Sequence, residues 1–248
     1  MRNLLYLILI FFTTILNANE KVVLQLKWFH QFQFAGYYAA KEKGFYDEAG
    51  LDVEIKERDL KYNNIDEVIN GNAQYGVADS ILILYRLKQQ PVVIVSPIFQ
   101  HSPSVFISLK KSNISSVYEL NNKDILFYPN DTDGFSLIAM IKKFDLNVNL
   151  IRERHKDDYV KLINNEVDLM PAYIANEPFL LKEKGYDVNI INPSNYGFDM
   201  YGDMLFTSED EAKNNPNRVE RFREATLKGW KYALENKEEI IKLVHTEY

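Results

Sequence analysis

Short apolar segments alternate with helical segments along this 248-residue chain, and this alternation constrains its fold more than any other feature. Residues 51–55 alternate apolar and charged side chains, as a strand with one solvated face does. Residues 92–95 form a continuous apolar run, which is typical of a buried strand in a parallel sheet. Apolar residues at helical spacing over 34–46 and 65–70 indicate helices between the strands. The sequence therefore predicts an α/β layered fold.

A second alternation of the same kind occupies residues 104–203. Residues 68–79 and 162–173 each read as a helix, a tight turn, a short strand and then a polar or aromatic residue at the strand end. This internal similarity of the two segments predicts two similar lobes. We expect a first lobe built from residues 19–103 and 204–248 and a second lobe built from 104–203. Segments 105–109 and 204–206 are predicted to cross between them, which leaves a cleft where small molecules bind.

The amino terminus has the pattern of a secretory signal peptide. Arg2 precedes an apolar run over residues 4–16, and small Ala18 precedes a plausible cleavage point. The apolar run is shorter than the roughly 20 residues of a membrane-spanning helix, so a permanent anchor is the less favoured alternative. The sequence contains 0 cysteines and therefore no thiol for disulfide bonds or for a lipid anchor. We expect residues 1–18 to be removed and the mature protein to be periplasmic.

The net charge of −6 limits the possible partners. An acidic chain is repelled by nucleic acid and by anionic membranes, so neither is expected as a partner. No phosphate-binding glycine loop occurs, and the histidines have neither metal-site spacing nor a nucleophile motif. We predict no catalytic residues, no metal and no cofactor. The four histidines are His30, His101, His155 and His245.

Residues 25–38 hold an unusual concentration of aromatic rings directly after a predicted strand. Such rings usually close a hydrophobic core, and that alternative stays open here. Ligands of open α/β sheets, however, bind at the carboxyl ends of strands. By helical spacing, we assign Phe34 and Tyr38 to packing. We expect four other residues of this segment to face a flat ligand, and these are Trp28, His30, Gln31 and Tyr37.

Further polar and aromatic residues follow other predicted strands. Asp79 and Glu177 could instead cap helices, and His101 could be satisfied by backbone groups. Together, these residues favour a cleft that stacks a ring on Trp28, Tyr37 or Tyr201, with Glu177 accepting paired N–H groups. The predicted ligand-binding residues of this set are Asp79, Ser80, His101, Tyr173, Glu177, Tyr201 and Asp203.

Several segments together resemble the thiamine-pyrimidine-precursor binding and synthesis family. The matching segments are 26–28 with His30, 34–40, 42–46, 49–53, 76–79, 100–103, 176–178 and 201–204. The resemblance implies a two-lobed periplasmic-binding-protein fold (type II) with two crossover segments. It also implies capture of a pyrimidine precursor for an ABC importer.

The synthase branch of that family uses a lysine that holds pyridoxal phosphate, a histidine and a cysteine-rich iron motif. The resemblance places Ala78 at the lysine position and Leu82 at the histidine position, and the chain has 0 cysteines. We therefore expect no enzyme. Similar domains also form the sensory halves of histidine kinases and diguanylate cyclases, which would require a longer chain or a membrane receptor.

From the sequence we predict a monomeric periplasmic solute-binding protein that captures a small aromatic heterocycle for an ABC permease. The most specific expectation is hydroxymethyl- or formylamino-pyrimidine. The alternative is an extracytoplasmic sensory domain that binds a similar ligand and signals to a membrane receptor.

Overall fold

A computed structural model describes residues 18–129, 133–153 and 157–248. Most of the predicted signal peptide therefore lies outside the described residues. The first part of the chain alternates strands and helices, as the sequence predicts. Its elements are β1 (Glu20–Gln25), α1 (Ala35–Glu42), α2 (Phe45–Glu48), β2 (Leu51–Lys56), α3 (Asn64–Ile69), β3 (Tyr75–Ala78), α4 (Leu82–Leu87) and β4 (Val92–Pro97).

Strands and helices also make up the rest of the described chain, which ends in three consecutive helices. The next elements are β5 (Ser104–Leu109), β6 (Asp124–Phe127), α5 (Phe135–Lys143), β7 (Asn149–Arg152), α6 (Tyr159–Ile163), β8 (Met170–Tyr173), α7 (Glu177–Glu183) and β9 (Val188–Ile191). The last are β10 (Met204–Ser208), α8 (Glu209–Asn214), α9 (Pro216–Glu235) and α10 (Lys237–Glu247). A short 3-10 helix, Val117–Glu119, lies between β5 and β6.

Two separate groups of strands result. A five-stranded sheet has the order β2-β1-β3-β10-β4, in which β1 runs parallel to β2 and β3 while β10 runs antiparallel to both of its neighbours. A three-stranded antiparallel sheet has the order β8-β5-β9, and β6 pairs with β7 beside it. The α/β fold class is therefore confirmed.

One strand assignment made from the sequence is wrong. Residues 92–95 do not form a buried strand of a parallel sheet, because β10 returns late in the chain and inserts antiparallel between β3 and β4. This insertion displaces β4 to the sheet edge, where Ile94 is 46% exposed. Residues 105–109, predicted to run extended as a crossing segment, lie in β5, which is buried and pairs with β8 and β9.

The first sheet is covered by α9, which packs directly on α1. A Cβ atom at Gly229 would lie 2.2 Å from the carbonyl oxygen of Gly36, so only glycine permits this approach. The ring of Phe222, also on α9, stacks on Tyr75 at 3.7 Å between centroids. The carboxyl-terminal helices thus complete the core that β1 and α1 begin.

Candidate functional site

A buried cluster of charged side chains lies between the two sheets. It forms because several chain segments end there: Lys27 follows β1, Asp79 follows β3, Asp203 precedes β10, and Asp133 precedes α5. Each of these four residues is at most 5% exposed. Such burial of charge is costly unless the groups are paired and hydrogen-bonded. The cluster is therefore expected to be fully compensated.

Lys27 is the centre of this cluster. Its Nζ atom lies 2.7 Å from Asp133 Oδ2 and 3.3 Å from Asp203 Oδ1, and it donates to the Tyr173 hydroxyl at 2.7 Å. The Tyr173 hydroxyl in turn donates to Asp203 Oδ1 at 2.7 Å. Burial alone would lower the pKa of Lys27, but its attraction to Asp133, Tyr173 and Asp203 raises that pKa well above its usual value. Lys27 is therefore a permanent buried cation.

Asp79 connects the first sheet to the start of α5. Its Oδ2 atom accepts hydrogen bonds from the backbone N–H groups of Gly134 (2.9 Å) and Phe135 (3.3 Å), and Oδ1 accepts one from Ile81 at 2.8 Å. The bond from Ile81 is local, whereas the bonds from Gly134 and Phe135 reach the start of α5. Asp79 thus joins elements from both halves of the chain.

The pKa values of the Asp79 and Asp133 carboxyl groups are shifted in opposite directions. Burial, followed by the charge of Asp133, raises the pKa of Asp79 well above its usual range. Burial would also raise the pKa of Asp133, but Lys27 and the hydrogen bond from Asp79 outweigh this effect and lower it. Of the two carboxyl groups, Asp79 therefore takes up a proton more readily, and Asp133 keeps its charge beside Lys27.

The pH dependence of stability tests this proton assignment. Because the pKa of Asp79 is higher in the folded state than its value of about 4 in the unfolded state, Asp79 lowers stability as pH rises between the two pKa values, by at most about 1.4 kcal/mol per pH unit. An Asp79→Asn variant keeps a hydrogen-bonding amide and lacks this titration. We expect its stability relative to the parent to increase between pH 5 and 8, measured by urea unfolding. A constant difference would contradict the assignment.

A cavity of about 20 Å³ lies beside Lys27. This volume holds about one water molecule and is well below the usual range of small-molecule sites, about 300–1,000 Å³. Its lining combines aromatic, amide and charged side chains from both halves of the chain. The lining residues are Lys27, Trp28, Gln31, Gln33, Tyr128, Asp133, Tyr173, Asn176 and Glu177.

A second, larger cavity of about 210 Å³ adjoins the first. The two share Trp28, Gln31, Asn176 and Glu177 as lining residues. The Asn176 side-chain amide donates to Gln31 Oε1 at 3.0 Å and so bridges the cleft at this boundary. Gln33 extends the bridge inward, because its amide donates to Asp203 Oδ2 at 2.7 Å. The outer cavity is further lined by Phe29, His30, Asp157, Asp158, Tyr159, Met170 and Leu180.

Trp28 and Glu177 give this cleft its recognition chemistry. Trp28 is partly buried and packs against the hydrophobic cores of both lobes, so its ring lies where they meet. Glu177 is the first residue of α7, and its Oε2 atom accepts a hydrogen bond from the Tyr173 backbone N–H at 2.8 Å. A fixed aromatic ring and an oriented carboxylate can together hold a flat ring that bears N–H donors.

The structure brings together most of the residues that the sequence predicts for the site. Trp28, Gln31, Tyr173 and Glu177 line the inner cavity, His30 lines the outer one, and Asp79 and Asp203 lie in the charged cluster beneath. The Nδ1 atom of His30 lies 2.9 Å from the Tyr38 hydroxyl, and burial lowers the pKa of His30. His30 is therefore a neutral group at the rim.

The structure places the other four predicted residues elsewhere. Tyr37 is 1% exposed and contacts Trp230 within the first core, because α1 turns it away from the cleft. Ser80 is buried and donates to the Tyr201 carbonyl oxygen at 2.7 Å, while the Tyr201 side chain is half exposed. The His101 side chain is 78% exposed and pairs with Asp199. None of the four lines either cavity.

Sequence reasoning did not select Lys27, Gln33, Tyr128 or Asp133 for the site. Lys27 directly follows an apolar strand, where a lysine is unexpected unless it is paired, and this was the one available signal. Asp133 precedes a helix, a position that capping alone explains. In the described ranges, no His, Cys, Asp and Glu side chains are grouped to hold a metal ion. No helix there combines the length and apolarity needed to span a membrane.

Comparisons with known proteins agree with this architecture. A family model described as NMT1/THI5 like matches residues 31–240. The riboflavin-binding protein RibY of Chloroflexus aurantiacus is 24% identical over 230 residues, covering 90% of this chain and 65% of RibY. The formylaminopyrimidine-binding protein of Halalkalibacterium halodurans is 24% identical over 238 residues, covering 93% of this chain and 71% of the relative. The chain thus spans about two thirds of the length of these relatives.

A solved structure supports the same fold. The periplasmic aliphatic sulphonate binding protein SsuA of Escherichia coli superposes with a TM-score of 0.68 at 13% identity, over 91% of this chain and 77% of SsuA. The predicted two-lobed periplasmic-binding-protein fold is therefore confirmed. The named relatives are binding proteins, in line with the expectation that this chain is not an enzyme.

Proposed function

The chain belongs to the NMT1/THI5-like family, and on that premise we propose that it captures a small aromatic heterocycle in the periplasm for an ABC importer. The specific ligand that we propose is a pyrimidine precursor of thiamine, either hydroxymethyl- or formylamino-pyrimidine. We further propose that the protein acts as a monomer and that residues 19–103 and 204–248 form one lobe and 104–203 the other.

The observation that carries the proposal is the pairing of Trp28 with Glu177 at one small cavity. The ring of Trp28 offers a stacking surface, and the Glu177 carboxylate accepts N–H donors from an amino-substituted ring. Two relatives are named for binding formylaminopyrimidine and riboflavin, which are both flat nitrogen heterocycles. The two adjoining cavities, of about 20 and 210 Å³, favour the smaller of these two ligand types.

The periplasmic location rests on two observations. The amino-terminal sequence has the charged, apolar and small-residue order of a cleaved signal peptide. SsuA of Escherichia coli, which has the same fold, is a periplasmic binding protein. Fractionation of cells that express the tagged full chain tests this location, and recovery of the protein in the cytoplasmic fraction would contradict it.

One structural feature favours a second candidate function, an extracytoplasmic sensory domain. The ring of Tyr248, next to α10, stacks on Tyr38 at 3.9 Å between centroids, and the Tyr38 hydroxyl bonds to His30 at the cleft rim. The carboxyl-terminal helix is therefore in contact with the site. An in-frame kinase or cyclase domain downstream would support sensing, whereas neighbouring permease and ATPase genes would support import.

Calorimetry tests the role that we propose for Glu177. We expect a Glu177→Ala variant to bind hydroxymethyl- or formylamino-pyrimidine at least tenfold more weakly, which corresponds to about 1.4 kcal/mol. A Glu177→Gln variant retains an oxygen for the Tyr173 N–H but loses the charge and the second acceptor, so it should also bind more weakly.

Glu183→Ala provides the matched control, because Glu183 is exposed at the other end of the same helix. This variant should bind like the parent. Absence of binding heat from a folded parent protein with either pyrimidine would overturn the ligand assignment. Equal affinities of the Glu177→Ala variant and the parent would instead remove Glu177 from the site.

A further inference from the structure

Asp79 holds the amino end of α5 against the first sheet. It directly follows β3 of that sheet, and its Oδ2 atom accepts hydrogen bonds from the backbone N–H groups of Gly134 (2.9 Å) and Phe135 (3.3 Å). Helix α5 belongs with the other group of strands, because its apolar side chains share a hydrophobic core with those of β5 and β6. These hydrogen bonds therefore join the two parts of the fold.

Two further contacts strengthen the same junction. The Nζ atom of Lys27, which follows β1, lies 2.7 Å from Asp133 Oδ2, directly before the start of α5. The side chain of Phe135 packs against a core of the first sheet that includes Ala78 and Ile81. Hydrogen bonds, an ion pair and apolar packing thus all attach the short segment 133–135 to the first sheet.

The junction lies beside the cleft, but Asp79 itself lines neither of the two cavities. One wall of the cleft carries Trp28 and Gln31, which follow β1, and the opposite wall carries Asn176 and Glu177 at the start of α7. A ligand that contacts both walls binds only to molecules in which the walls are held together. Its apparent dissociation constant is the intrinsic one divided by the fraction of such molecules.

We propose that Asp79 is a positioning residue for ligand binding, which keeps the two walls of the cleft together by holding α5 and does not touch the ligand. This inference rests on the proposed function and adds a residue outside the cavities that controls affinity. An Asp79→Ala variant loses the acceptor of both N–H groups. We expect it to bind hydroxymethyl-aminopyrimidine about tenfold more weakly in calorimetry, as it would if about a tenth of the molecules held the walls together. Asp79→Asn retains an oxygen acceptor and should recover most of that affinity.

Spin-label distances distinguish positioning from direct contact with the ligand. The sequence contains 0 cysteines, so labels attach only to cysteines introduced at exposed Lys41 on α1 and exposed Lys182 on α7. Without ligand, we expect Asp79→Ala to show a longer-distance population than the parent, and saturating pyrimidine should restore the shorter distance. Weaker binding with unchanged distances would overturn the positioning role. Parent-like affinity and distances in the folded variant would overturn it as well.

Two other variants complete the experiment. Ser208 Oγ accepts a hydrogen bond from the Glu211 N–H at 3.1 Å and caps α8 within the first part of the fold, so Ser208→Ala should keep the parent affinity and distances. Phe135→Ala weakens the junction through packing and should change both in the same direction as Asp79→Ala, and it decides the question if Asp79→Ala does not fold. A folded parent that does not bind the pyrimidine would overturn the proposed function, whereas the ligand-free distances would still test Asp79.

Discussion

A Lys27→Met variant is expected to lose about 3–5 kcal/mol of folding free energy, because it removes one partner of a buried ion pair and leaves the other uncompensated. Asp133 and Asp203 would then lie together with no cation between them, each at most 5% exposed. Methionine matches the length and volume of the lysine stem, so packing is largely retained. The loss of folding free energy therefore measures the electrostatic contribution of the Lys27 ammonium group. Urea unfolding at pH 7 measures it.

A Lys43→Met variant is the matched control for this experiment. Lys43 pairs with Glu239, but both side chains are partly exposed, at 32% and 46%. Exposed ion pairs contribute only about 0–1 kcal/mol, so the same substitution there should have a small effect. Equal losses in the two variants would contradict the compensated cluster around Lys27.

The fold could be predicted from sequence where the determining contacts are local. The alternation over residues 51–55 predicts β2 because the pleat itself places alternate side chains on one face. The position of β4 could not be predicted, because it depends on β10, which is separated from it by more than a hundred residues. An apolar run indicates burial, but it does not indicate which strand lies beside it. Sheet order is therefore where the sequence analysis failed.

The candidate site could also be predicted from the sequence only in part. Tyr173, Glu177 and Asp203 were predicted because polar and aromatic residues at strand ends converge in α/β proteins. Asp133 was missed because its role depends on Lys27, and only the three-dimensional fold reveals that partner. Tyr37 was assigned to the cleft because aromatic character does not determine which side of a helix faces the core. That orientation is set by α9, whose Trp230 ring contacts Tyr37.

Trp28 is the residue whose removal should most strongly weaken ligand binding. Its ring is shared between the two lobe cores and lines both cavities. In a Trp28→Ala variant, a ligand ring that stacks on the indole would lose this contact altogether. Stacking of a nucleobase on an aromatic side chain is worth about 1–3 kcal/mol by alanine substitution, and a pyrimidine precursor offers a comparable face.

We therefore expect Trp28→Ala to bind the pyrimidine about 5- to 150-fold more weakly in calorimetry. Trp28→Phe retains a stacking face and should recover most of that affinity. The sequence has only 2 tryptophans, so fluorescence separates their roles. Ligand should change the emission of a Trp230→Phe variant, in which Trp28 remains, but not that of Trp28→Phe. If folded Trp28→Ala bound the pyrimidine as tightly as the parent, the ligand would not stack on this ring, and the cavity above Lys27 would not be its site.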